Sequence, residues 1–132
     1  MDFKKRFECW SKIVNMINEG ESVVVCGTGF FYNVFKEFLL GETLEKLDGC
    51  IIQLDYDDPF TIEFDTGARI IIFDVEKSEE LDAFVERGDE YPVNLMLLFE
   101  PQLGFLKEQY NTKLLPIILT KPSCRIQIVR GG

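Results

Sequence analysis

The chain contains no histidine at all. Its absence removes the commonest zinc ligand and the usual general base, and so weakens serine-triad, cysteine-hydrolase and metal-hydrolase chemistry together. The four cysteines (Cys9, Cys26, Cys50, Cys124) are far apart and form no Cys-x-x-Cys pair. They read as buried reduced thiols rather than as a metal cluster or a disulfide framework. No apolar run approaches the roughly 20 residues a bilayer span requires. The first twenty residues, with Lys4, Lys5 and Arg6 close to Glu8 and Trp10, lack the continuous apolar centre of a signal peptide. A cytoplasmic location with no membrane contact is the expectation. Cations are also scarce, fourteen in 132 residues. No basic stripe interleaved with aromatics offers a direct nucleic-acid surface.

What the chain does have is acid, and the acid is local. Between Asp55 and Glu90 stand thirteen carboxylates against Arg69, Lys77 and Arg87, a net charge of −10, whereas the whole chain carries −9. A field of one sign repels polyanions and speeds encounter with basic surfaces. Forty-six per cent of the residues are hydrophobic, twelve of them Phe, so the charge sits on a chain with ample material for a core.

Apolar spacing gives the elements. Phe3, Phe7, Trp10, Val14 and Ile17 form a helical stripe closed by Gly20. Val23 to Cys26 is a short buried strand, followed by Gly27-Thr28-Gly29 and an aromatic helix expected to stop at Gly41. Cys50 to Leu54 reads as a strand. Phe60, Ile62 and Phe64 alternate with Thr61, Glu63 and Asp65, and a turn at Asp65-Thr66-Gly67-Ala68 leads into Arg69 to Val75, completing a hairpin. Ser78 caps a helix with Glu79 and Glu80 in its first turn, Leu81, Phe84 and Val85 inward, and Gly88 at its end. Val93 to Phe99 is a central strand and Pro101 to Tyr110 a short helix or turn. Leu114 to Thr120 and Cys124 to Val129 suggest a closing hairpin, with Cys124, Ile126 and Ile128 on one face. The sum is one compact α+β domain over residues 1–132, with a mixed or mainly antiparallel sheet of about six or seven strands and three or four packed helices.

Three constellations compete for function, and none supplies a catalytic residue or calls for a cofactor. The first is an acidic partner surface: Glu63 and Asp65 on the hairpin, with Glu79, Glu80, Asp82, Glu86, Asp89 and Glu90 on and after the helix. Tyr91 or Tyr56 would be aromatic anchors. Such a surface suits a small inhibitor, immunity or adaptor protein docking a basic patch on another protein. The second is the Gly27, Thr28, Gly29 turn, where backbone N–H groups at a helix start suit a phosphate or nucleotide. The third glycine of a dinucleotide fingerprint is replaced by Tyr32, and no Gly-Lys-Ser/Thr follows. Asp55, Asp57 and Asp58 before Pro59 read as a solvated Asx-type turn rather than a metal site.

The third constellation is the C-terminus, Ile126-Gln127-Ile128-Val129-Arg130-Gly131-Gly132, which resembles the terminal strand and diglycine tail of ubiquitin-like modifiers. The upstream hairpin and helix follow an order similar to that family's β-grasp fold from Phe60 onward. The resemblance implies that Gly132 would be conjugated by a partner enzyme. Fifty-nine preceding residues, with helices of their own, have no place in it. An unpaired strand such as Cys124 to Val129 would also leave homodimerisation by edge addition open.

Overall fold

The structure is a computed structural model, and it describes residues 3–57, 59–87, 93–99 and 124–129. Along the chain run α1 (Phe3–Asn18), β1 (Val23–Gly27), α2 (Gly29–Lys46), a 3-10 turn (Asp48–Cys50), β2 (Ile51–Asp55), β3 (Phe60–Phe64), β4 (Arg69–Asp74), α3 (Ser78–Arg87), β5 (Leu95–Phe99) and β6 (Arg125–Val129). The strands form one mixed sheet in the order β2-β3-β4-β1-β5-β6. With three α-helices among the described residues packed on it, this is an α+β domain. Of the two sheet types expected, the mixed one is realised. Strands β2, β3 and β4 are antiparallel neighbours, while β1 pairs parallel with both β4 and β5, and β5 with β6.

Strand alternation divides the core in two. Val23, Val25, Ile70, Ile72, Leu95 and Leu97 point to one face, where α1 and α2 cover them with Trp10, Ile13, Ile17, Phe35 and Leu39. Val24, Cys26, Ile71, Phe73 and Met96 point to the other, beneath Leu81 and Phe84 of α3. Both faces of β1 and β4 are therefore buried, which explains their unbroken apolar runs. The β3–β4 hairpin forms as its alternation demands. Gly67 takes φ of 87° in the turn, and its N–H donates to the Phe64 carbonyl at 2.9 Å. The Thr66 hydroxyl then donates to the Ile17 carbonyl at 2.6 Å, tying this turn to the end of α1.

Several expectations change. The inward side of α1 is Cys9, Trp10, Ile13, Met16 and Ile17, so the stripe is rotated from the one through Phe7 and Val14. Phe7 remains 38% exposed and packs edge-on against Trp10. Helix α2 does not stop at Gly41 but continues to Lys46. A glycine inside a helix costs only about 1 kcal/mol, and burial of Thr43 beyond it holds the extra turn in place. Phe30, at the start of α2, is 76% exposed, and the buried line of the helix is Tyr32, Phe35, Leu39 and Thr43. Strand β6 runs parallel to β5, with Ile126 and Ile128 exposed. Its expected hairpin partner, Leu114 to Thr120, lies outside the described residues, as do Pro101 to Tyr110 and the Gly131-Gly132 tail. The span from Phe60 onward is also not a separate unit, because β1 from the N-terminal part sits between β4 and β5.

Candidate functional site

The carboxyl ends of β1 and β4 lie side by side, and their chains leave toward opposite faces, β1 into α2 and β4 into α3. Open sheets with parallel strands place their ligands beyond such diverging strand ends. Here the strand ends are flanked by acid. The Val75 N–H donates to the Gly27 carbonyl at 3.0 Å, bringing the two loops together. The Thr28 hydroxyl donates to the Glu76 carboxylate at 3.0 Å and makes no cap bond to α2. The Asp74 carboxylate accepts the Glu76 N–H at 2.9 Å, and Glu80 reaches back to accept the Asp74 N–H at 2.7 Å.

These bonds bear directly on Gly27, Thr28 and Gly29. A Cβ on Gly27 would stand 2.5 Å from the Phe99 Cβ, so close packing against β5 already requires glycine there. The Thr28 hydroxyl is engaged by a carboxylate, and an anion at the turn would meet Glu76 first. Glu76 thus opposes the attraction that the N-terminus of α2 would otherwise offer an anion.

Beside these strand ends, between α2 and the β2–β4 half of the sheet, opens a slot of about 330 Å³. Leu40, Leu44, Leu54, Phe60 and Ile72 supply apolar walls, and Glu37, Glu80, Lys36 and Tyr56 bring polar groups to it. Tyr56 is 77% exposed and leans on Phe60 with ring centroids 5.4 Å apart. Tyr32 is buried in the wall, and the Lys36 ammonium lies 5.7 Å from its ring centroid. Burial pushes the Tyr32 phenol well above its ordinary range, and the neighbouring acidic groups Cys26, Asp74 and Glu80 act in the same direction. Tyr32 thus stays protonated throughout the neutral range.

The described residues among the sequence-predicted acids fall into two groups. Asp65 sits in the turn before β4, and Glu63 pairs with Arg69 at 3.7 Å at that same end. Glu79 and Glu80 begin α3 at the far end of β4. At about 3.3 Å per residue, the strand separates the two groups by roughly 17 Å. Asp82 and Glu86 lie exposed farther along α3. Asp89, Glu90 and Tyr91 fall outside the described residues. At the β2 end, the Asp57 N–H donates to the Asp55 carboxylate at 3.0 Å, the expected Asx-type turn. Among the described residues no group of three or more metal-ligating side chains comes together, and no helix is long and apolar enough to cross a membrane.

Sequence reasoning missed Asp74, Glu76, Lys36 and the slot. The spacing of Tyr32 and Lys36, four residues apart on one helix, was the only local signal. Compared with protein-family models, curated proteins and solved structures, the chain matches none.

Proposed function

We propose that the protein is a small non-enzymatic binding module of the inhibitor, immunity or adaptor type, which docks a basic surface of another protein inside the cell. Its docking face is the β4–α3 loop and the outer side of α3, with Glu76, Glu79, Asp82 and Glu86. The observation that carries this is the state of three of these charges: Glu76, Glu79 and Glu86 are exposed, and no described cation stands within ion-pair distance of these three. Pooled charge of one sign costs stability by self-repulsion, and a basic partner relieves it. Cys9, Cys26, Cys50 and Cys124 are all free thiols, which suits a reducing compartment.

The test begins with proteins retained from the source cells at low salt, whose association rates are then measured against ionic strength. The rate should fall steeply with salt, and Glu79→Lys with Glu86→Lys should slow it about tenfold. Glu19→Lys with Glu45→Lys changes net charge equally but lies off this face, and should have a much smaller effect. Equal slowing by both pairs, or salt-insensitive binding, would refute the assignment.

A further inference from the structure

The slot between α2 and the β2–β4 half of the sheet adds a specific anchor to that docking face, and it rests on the function just proposed. We infer that the slot receives one arginine side chain of the partner, its aliphatic stem against Leu40, Leu44, Leu54 and Phe60 and its guanidinium between Glu37 and Glu80. Three observations converge on this occupant. The slot is apolar along its walls and carries carboxylates from two different elements, which complements a long cationic side chain. Its volume of about 330 Å³ is small, suited to a side chain rather than a large cofactor. A cation is already at home there, since Lys36 extends its ammonium to 5.7 Å from the Tyr32 ring. The exposed Tyr56 ring, leaning on Phe60, offers the guanidinium a second aromatic surface.

Arginine fits better than lysine because a planar guanidinium stacks on aromatic rings and spans two carboxylates. Lys36 is then the resident competitor. Its position gives the proposal a sign that separates it from any anionic ligand. Removing Lys36 should strengthen binding of a cation and weaken binding of a phosphate or carboxylate.

The experiment is an NMR titration of the full chain with Nα-acetyl-arginine amide, with the citrulline and norleucine analogues alongside. The expected result is saturable shifts at Leu40, Leu44, Leu54 and Tyr56, with citrulline about threefold weaker or more, the contribution of partly exposed charge. Lys36→Met should tighten arginine binding by a similar factor, and Glu37→Gln should loosen it. Equal binding of citrulline, weaker binding in Lys36→Met, or no slot shifts at about 10 mM probe, near the weak limit of specific affinity, would each overturn the proposal. Its failure is distinguishable from failure of the docking face. Charge reversal on α3 acts on the association rate of a whole partner, whereas the titration reads the slot alone.

Discussion

Replacing Gly27 by alanine separates a packing role for the glycine turn from a ligand role. The added Cβ would lie 2.5 Å from the Phe99 Cβ, 3.1 Å from Tyr32 Cδ2 and 3.2 Å from the Phe99 carbonyl oxygen. Carbon pairs rest at about 3.5–4.0 Å, so something must retreat by roughly 1 Å. A Cβ moves only with its backbone, and Phe99 ends a strand hydrogen-bonded on both sides. Its ring is further held against Tyr32 and Phe35, with centroids 5.9 and 5.1 Å away. Overpacking a well-filled core costs about 1–3 kcal/mol, and the lack of a yielding side chain places this case at about 3. Gly29→Ala is the matched control. Gly29 has φ of 88°, and a Cβ added there would meet nothing within 4 Å, so only backbone strain opposes the substitution. That strain costs about 1 kcal/mol, partly offset by a less flexible unfolded chain. Urea unfolding followed through the single tryptophan, Trp10, measures both. For a chain of this size the two values correspond to Tm losses of about 10 °C and 3 °C. Stability within about 0.5 kcal/mol of wild type in Gly27→Ala, or a larger loss in Gly29→Ala, would refute the packing account.

Other outcomes follow from the same geometry. Phe84 is fully buried and stacks on Phe73 at 4.6 Å, so Phe84→Ala should cost about 3–5 kcal/mol in denaturant unfolding. The exposed Glu79→Ala on the same helix should stay within about 0.5 kcal/mol, and a comparable loss there would mean α3 is not anchored as described. Alkaline pH should destabilise the fold through Tyr32. Its folded pKa is raised by burial, so its contribution is complete below the ordinary value of 10.0 and is lost as pH rises above it. The slope reaches at most about 1.4 kcal/mol per pH unit for one group. Tyr32→Phe should flatten unfolding free energy measured from pH 9 to 11 by about that amount. Cys9, also raised by burial, contributes in the same direction from 9.0 upward, so its slope should persist in that variant. An unchanged slope in Tyr32→Phe would show that the phenol is not buried in the folded state.

Elements whose information is local were legible in the sequence. The alternation through Ile62 and Phe64, the turn at Thr66-Gly67 and the Leu81, Phe84, Val85 face of α3 each declare themselves within a few residues, and each is observed. The face of α1 was less legible because Phe7 and Val14 adjoin the set that packs, and only the sheet beneath selects between the two. Gly41 misled because an exposed helical glycine is a small penalty that packing of the next turn overcomes. The site could not be seen for a deeper reason, which also bears on how the acid block should be understood. Density of charge along a sequence is not density in space once a strand intervenes. Asp65, in the turn before β4, and Asp74, at its end, are held apart by the extended length of that strand. Thr28 and Glu76, 48 residues apart, are joined by a 3.0 Å hydrogen bond because β1 and β4 run parallel and finish together. Parallel pairing thus decides which carboxylates share a field. It gathers Asp74, Glu76 and Glu80 near the glycine turn, and it leaves Glu63 to Arg69 at the opposite end. On the proposed docking, a charge reversal at the carboxyl edge of the sheet or along α3 should slow association more than one at Glu63, which already pairs with Arg69.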